Sequence, residues 1–485
     1  MSDSRPNILL LMTDQQRGDC LGIEGHPVLQ TPYLDELGTS GFHFTKAYSA
    51  CPVCVPARRT LMTGKKPVSH GVLNNYGTRL EGPTLPEVLS RAGYQTHFSG
   101  KLHLWPFRKL YGFNSADYAN NPDCRRHVAT DYTRFLESKG LTGVWDAESH
   151  GISNNGFPAR PFQLEERYHF SNWVTDCGIN FIERRDPTVP FFLKLSYLAP
   201  HHPLVPPQAY WDRYMNMDLP EPKVADWARV FDRPQRGIPV DNPGRVYFDP
   251  AVQKQMQAGY YGSINHVDNQ IGRIFNAIPK NVMKNTIVIF LSDHGEMLGD
   301  HQWVCKCNAF EPSIRIPFLI KMPDSMGLKQ KRKIGAVVEL MDVMPTVLDA
   351  VGLDIPDSVD GKSLMPLLTG EKKSVRNYLH GECSNIKTLN SGMQYLTDGR
   401  KKYIYYPGTG EEHYFDIEND PCEMTNLAGK PEFAKEIKNW RELLMKELKG
   451  RPEKFTDGRK LNVLGGPTPK CLPEYINQVE GGSVT

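Results

Sequence analysis

"CPVCVPARRTLMTG", residues Cys51 to Gly64, sets two cysteines, two prolines and two arginines at the head of a helix-like run that stops at a glycine. Three readings compete for it: a metal-binding or redox Cys-x-x-Cys, an inert surface loop, or a nucleophile held at a helix N-terminus. Structural zinc needs two more ligands, and "CKC" at Cys305–Cys307 has poor spacing for them. A thioredoxin-like motif opens a helix straight after a strand, whereas here a loop precedes the pair and Pro56 and Arg58 follow it.

The rest of the chain narrows the choice. Its 485 residues, 39% hydrophobic and 23% charged, are enough for a large core. Lys and Arg number 57 against 55 Asp and Glu, a formal charge of +2, with no basic block that would serve a nucleic acid or a membrane surface. Anion binding would therefore be local. The ten cysteines show no framework spacing, which suits a reducing compartment. "MSDSRPNILLLMTDQQ" lacks the basic and long apolar regions of a secretory signal, and no stretch approaches the roughly 20 apolar residues of a membrane span. The expectation is a cytoplasmic protein.

Short apolar runs alternate with helical patterns, as in an α/β fold with a large, mostly parallel central sheet flanked by helices. "NILLLMTD", "YQTHFSGKLH", "PFFLKLSYLAPHHP" and "NTIVIFLSDHGE" each run from an apolar strand into polar residues. Asp14, Lys101 with His103, His201, and Asp293 with His294 thus fall at or just past strand C-termini, the edge where open parallel sheets bind ligands. One such residue is most often a turn former or cap, but their recurrence argues for a site. "TLPEVLSRAG" and "VELMDVMPTVLDAVG" read as helices. From about Ser374, "SGMQYLTDGRKKYIYYPGTGEEHYFDIENDPCEMTNLA" reads as an antiparallel meander, followed by the charged helix "PEFAKEIKNWRELLMKELKG". The expected organisation is a catalytic domain over 1–373, a smaller C-terminal subdomain with antiparallel sheet and helix over 374–454, and an extended tail over 455–485.

"CVPARRTLMTG" (Cys54–Gly64) resembles the signature of type I, formylglycine-dependent sulfatases in the alkaline phosphatase superfamily. Further stretches resemble that family's landmarks in family order: "LLLMTDQQRGD", "GKLH", "APHHP", "LSDHGEMLGDH", "WVCKCNAFEPSIRIP" and "YFDIENDPCEMTNLA". The resemblance spans essentially the whole chain. It implies an alkaline phosphatase-like fold and a sulfuric ester hydrolase. Cys54 would be converted by a formylglycine-generating maturation enzyme, giving a hydrate with one hydroxyl to attack sulfur and a second to release sulfate. A helix N-terminus at Cys54 would favour both the alkoxide and the sulfate oxygens, and Arg58 would hold the diol.

By the same resemblance Asp14, Gln15, Cys54, Asp293 and His294 would ligate one divalent cation, Ca²⁺ first, with Mn²⁺ or Zn²⁺ as alternatives. Many sulfatases have two consecutive acids where this chain has Asp14–Gln15, and Asp-Asn where it has Asp293–His294. That variant resembles the branch of choline sulfatases, some carbohydrate sulfatases and phosphonate monoester hydrolases. Lys101 and Lys306 would cover the sulfate oxygens, and His103 and His201 would share the proton transfers. His97, Asp300 and His301 are read as structural. The substrate would be a sulfated sugar or a small alkyl or aryl sulfate; a phosphonate monoester or phosphodiester is the runner-up. A non-catalytic anion-binding module fits less well, since the nucleophile, the metal acids and both lysines are present. Specificity is expected from "HLWPFRKLYGFNSADYANNPDCRRH" and "PLVPPQAYWDRYMNMDLPEP". The tail, with apolar "LNVL" and "LPEYI", either folds back on its own subunit or crosses to a neighbour in a homo-oligomer.

Overall fold

Asn7–Asp14 forms strand β1, and its apolar run is buried on both faces, as a central strand of a parallel sheet requires. The computed structural model describes residues 5–119, 130–141, 152, 156–235, 244–384 and 392–476. Asn120–His127 of the first specificity segment and 477–485 of the tail lie outside the described residues.

Seven further strands join β1: β2 (Phe42–Phe44), β3 (Gln95–Gly100), β4 (Ser115–Tyr118), β5 (Phe191–Pro200), β6 (Thr286–Ser292), β7 (Phe318–Lys321) and β8 (Arg332–Ile334). Their order is β8-β2-β7-β6-β1-β5-β3-β4. Only β7 runs antiparallel to its neighbours, β2 and β6. The sheet is therefore mostly parallel, as expected.

Alternation along the strands sends side chains to two cores. Ile8, Leu10 and Met12 of β1, with Ile287 and Ile289 of β6, meet Ala57 and Leu61 of helix α2 (Cys54–Thr63). Leu9 and Leu11, with Leu193 and Leu195 of β5, meet helices on the opposite face. These include Val174 of α3 (Phe170–Arg184) and Ile271 of α4 (Pro250–Ala277).

A second sheet follows, the expected meander: β9 (Leu379–Cys383), β10 (Met393–Thr397), β11 (Lys401–Tyr406) and β12 (Glu411–Asp416), antiparallel throughout. Tyr395, Ile404 and Phe415 pack against Cys51, Val53 and Phe310. The other face, with Leu396, Tyr403 and Tyr414, is covered by Trp440 and Leu444 of α5 (Ala434–Glu447). Lys402 of β11, wholly buried, joins the two bodies through Glu311 (3.1 Å) and Glu423 (2.6 Å).

The described part of the tail packs on its own chain. Phe455 is fully buried, Leu73 N–H donates to Lys470 O (2.9 Å), Leu472 N–H to Gly71 O (2.8 Å), and Tyr475 Oη to Ser69 O (2.9 Å). Val55 and Val72 supply the apolar seat, and Cys471 of the tail packs into it. Of the two readings open for the tail, residues 455–476 follow the one that packs on its own chain, next to the start of α2.

Asp268 of α4 caps the nine-residue helix α1 (Pro32–Ser40), where Thr31 makes no side-chain cap. Its carboxylate accepts from Leu34 N (2.8 Å) and Tyr33 N (3.3 Å). Burial pushes this carboxyl up to about 7, and the two N–H bonds offset that only in part. A raised value means that the folded state holds a proton which the unfolded state has lost. The stabilisation is complete below the ordinary value of 3.8 and is lost as pH rises through about 7. Asp268→Asn is expected to flatten that slope, with a difference on the order of 4 kcal/mol between its ends, measured by thermal unfolding of both proteins across this range.

Candidate active site

Four neighbouring parallel strands, β6, β1, β5 and β3, end at one edge of the sheet, and that edge assembles the site. β1 delivers Asp14 and Gln15; β6 delivers Asp293 and His294; β3 delivers Lys101 and His103; β5 delivers His201. Gly100, at φ +102, ends β3 where a Cβ would come within 2.1 Å of Ser196 O, so only glycine lets the chain turn Lys101 inward here. α2 brings Cys54 as its first residue, and the loop after β6 brings Lys306.

Asp14, Cys54, Asp293 and His294 place one ligand atom each within 4.8 Å of all the others, and all four are buried. Each carboxylate is divided in two. The Oδ2 atoms are clamped by Arg58, with Nη2 to Asp14 and Nε to Asp293 both at 2.9 Å. The Oδ1 atoms face inward, 3.8 Å (Asp14) and 3.7 Å (Asp293) from His294 Nε2. Cys54 Sγ completes the ring, 3.2 Å from His294 Nε2 and 3.7 Å from Asp14 Oδ1. Arg58 was expected to hold the nucleophile. Its hydrogen bonds go instead to the two acids, to Lys101 O (2.6 Å) and to Ser196 Oγ (2.9 Å), because the guanidinium reaches past residue 54 into the carboxylate pair. Gln15 turns its carbonyl oxygen to Lys306 Nζ at 2.8 Å. Two inward carboxylate oxygens, one imidazole nitrogen and the atom at position 54, all desolvated, suit a divalent cation.

Two ammonium groups flank Cys54 Sγ: Lys306 Nζ at 3.1 Å and Lys101 Nζ at 3.9 Å, the latter also 2.7 Å from Asp14 Oδ2. Burial alone would raise the Cys54 thiol, but Lys101 and Lys306, with His294 and a hydrogen bond from His103, bring it well below its ordinary value. Burial also opposes charge on Asp14, yet Lys101, His201 and Arg58 hold it low, whereas burial and the Asp14 charge push Asp293 up. His103 and His201, both within hydrogen-bonding reach of the thiol, are lowered to about 4 by burial and by the nearby lysines, so both are neutral near pH 7. His201 Nδ1 lies 2.7 Å from His202 O.

The competing readings of the opening stretch do not assemble. Cys51 and Cys54 are both free thiols, and Cys51 Sγ donates to Leu73 O at 3.6 Å. Cys51 and Cys307 both meet Cys383, while Cys305 sits by His202 and Glu296, so the four sulfurs have no common centre. His97 bonds Ser115 (2.7 Å) and Asp117 (3.0 Å), and Asp300 bonds Arg17 (2.9 Å), both structural as expected. His301 is likewise structural, its ring packed against Trp227. The sequence does not single out Lys194, Ser196 or Glu296, and it offers His202 only as the neighbour that competes with His201. Lys194 had a visible signal, a lysine inside "FFLKLSYL"; it is 1% exposed, its Nζ 3.5 Å from Met12 Sδ. Ser196, His202 and Glu296 are ordinary polar residues in sequence, and only the fold puts them beside Arg58 and Gln15.

A profile described as Sulfatase matches residues 6–353, and one described as N-sulphoglucosamine sulphohydrolase, C-terminal, matches 299–450. An arylsulfatase of Clostridium perfringens is 40% identical over 477 residues, covering 94% of this chain and 97% of that protein. A Formosa agariphila protein named ulvan-active sulfatase is 29% identical, covering 97% and 87%. Among solved structures, the phosphonate monoester hydrolase of Agrobacterium radiobacter superposes with a TM-score of 0.77 at 27% identity, covering 91% of this chain and 95% of that one.

Proposed function

The chain belongs to the sulfatase family, and is thus a sulfuric ester hydrolase; from that premise we propose that it cleaves a carbohydrate sulfate or a small alkyl or aryl sulfate at the Asp14–Cys54–Asp293–His294 centre. The observation that carries the reading is the convergence of the two inward carboxylate oxygens, His294 Nε2 and Cys54 Sγ between two lysine ammonium groups.

In this reading the Cys54 sulfur marks where the nucleophilic oxygen sits. Converted to formylglycine by a maturation enzyme, residue 54 supplies a geminal diol, one hydroxyl for attack and one for release of sulfate. Asp14, Asp293, His294, residue 54 and the Gln15 carbonyl would hold the cation, which when bound neutralises sulfate charge and acidifies the attacking hydroxyl. The oxygen-rich set favours Ca²⁺, and the His294 nitrogen admits Mn²⁺ or Zn²⁺.

Lys101 and Lys306, buried and already oriented, receive the negative sulfate oxygens without reorganising. A carbonyl only accepts, so His201 must carry its proton on Nδ1 against His202 O, which leaves Nε2 bare toward residue 54. That tautomer makes His201 the base. His103 Nδ1 has no hydrogen-bond partner among the described residues, and we assign His103 to the leaving oxygen.

All nine described cysteines are free, which supports a reducing, cytoplasmic setting, and no helix among the described residues is long and apolar enough to cross a membrane. A homo-oligomer remains part of the proposal. The same machinery suits a phosphonate monoester, so the deciding experiment compares kcat/KM for matched aryl sulfate and aryl phosphonate esters. A higher value for the sulfate is expected; a clear preference for the phosphonate would make a phosphonate monoester, and not a sulfate ester, the preferred substrate of this centre.

A further inference from the structure

Gln15 follows the metal acid Asp14 with a backbone φ of +69, a left-handed conformation that is strained for a non-glycine residue. It is fully buried, and every polar atom it has is engaged. Its N–H donates to Asp293 Oδ1 (3.0 Å), and its backbone carbonyl accepts from Tyr260 Oη (2.6 Å). The side-chain Oε1 accepts from Lys306 Nζ (2.8 Å), and Nε2 donates to Glu296 Oε2 and lies 3.3 Å from His202 Nδ1.

An amide can be turned over without changing its shape, so its partners must decide which end faces which way. Here they do. Lys306 can only donate. Glu296 is fixed from behind, since its Oε1 already accepts from Leu298 N (2.9 Å) and Cys305 N (2.5 Å), and its Oε2 offers an acceptor to Gln15. Both ends therefore demand the same orientation, nitrogen toward Glu296 and His202, oxygen toward Lys306 and the Cys54 side of the site. The same contacts fill the space between His202, Glu296 and Cys305, whose ligand atoms also lie within 4.8 Å of one another, with the Gln15 amide nitrogen.

We infer that Glu296 and His202 are positioning residues that lock the Gln15 amide with its carbonyl oxygen facing the cation site and Lys306. They are the structural complement of having a neutral amide where a second acid could stand: a carboxylate has two equivalent oxygens and needs no such lock. The inference rests on reading the Asp14 cluster as a cation site.

The test uses the full-length protein stripped with a chelator, and titrates Ca²⁺ and Mn²⁺ in separate calorimetric runs. In Glu296→Gln the new amide can still accept from Leu298 and Cys305, but it turns its NH₂ toward Gln15. Gln15 must then either face donor to donor with it or turn its own NH₂ to Lys306. Cation affinity is expected to fall about ten-fold or more, the scale for losing a partner that orients a ligand. Adding Gln15→Glu to that variant restores an all-acceptor group between the new amide at position 296 and Lys306, so affinity returns to the wild-type value or exceeds it. A purely structural loss at position 296 would not be repaired by a change at position 15. Unchanged affinity in Glu296→Gln, or no recovery in the double variant, overturns the lock. Wild-type protein that binds neither cation overturns the site reading and the lock together, whereas tight wild-type binding with an indifferent Glu296→Gln sinks the lock alone.

Discussion

Cys54→Ala is expected to lower kcat by on the order of 10⁴- to 10⁶-fold, the range that follows removal of a nucleophile whose partners stay in place. The partners do stay: Lys306, Lys101 and His294 are held by Gln15, Asp14 and the strand ends, so the variant keeps its fold and its anion-binding charges. The companion measurement is mass spectrometry of the tryptic peptide Ala47 to Arg58. Active protein should carry formylglycine at position 54, with the Cys51 thiol intact. Full turnover from protein bearing only the unmodified thiol at Cys54 would remove formylglycine from the mechanism.

The second large effect concerns the acids. Asp14→Asn or Asp293→Asn keeps the shape of the side chain but removes a charge that faces the cation, and each should lower cation affinity by more than the ~10–100-fold that loss of an outer partner costs. Turnover should fall with it, and metal content of the purified variants is the direct check. Normal occupancy with normal rates would rule out this centre. The two variants should differ when stripped of metal. Asp14 is held in its charged form by Lys101 and Arg58, so its loss breaks a buried pair, a change that typically costs about 3–5 kcal/mol. Asp293 is pushed toward its neutral form by burial and by Asp14, so its replacement should destabilise the metal-free protein less.

Much of this site could be read before folding, because strand ends advertise themselves. An apolar run such as Ile8–Met12 has to be buried on both faces, and the polar residues that close the strand come out at the sheet edge. Asp14, Lys101, His201 and Asp293 follow that rule. The three-residue strands β2 and β8 carry too little pattern to announce themselves, and nothing local marks β7 as the strand that reverses direction. Arg58 and Glu296 illustrate the other gap. Their partners lie 235 and 281 residues away in the chain, so their roles depend on which strands become neighbours, which spacing does not encode. The tail was an even choice on composition alone. Its seat at Val55 and Val72 exists only after α2 has been placed.

Every residue of α2 from Cys54 to Thr63 is buried, Arg58 and Arg59 included, with the tail laid alongside Val55 and Val72. A surface so enclosed offers a second protein nothing to grip. If Cys54 is matured by an enzyme that must grasp the segment around it, the conversion competes with folding in time, and the first chain to collapse around α2 closes the window. The active fraction of a preparation would then be fixed at synthesis, beyond correction by treating the finished protein. In molecules that fold first, the thiol would stay sealed in an otherwise complete centre.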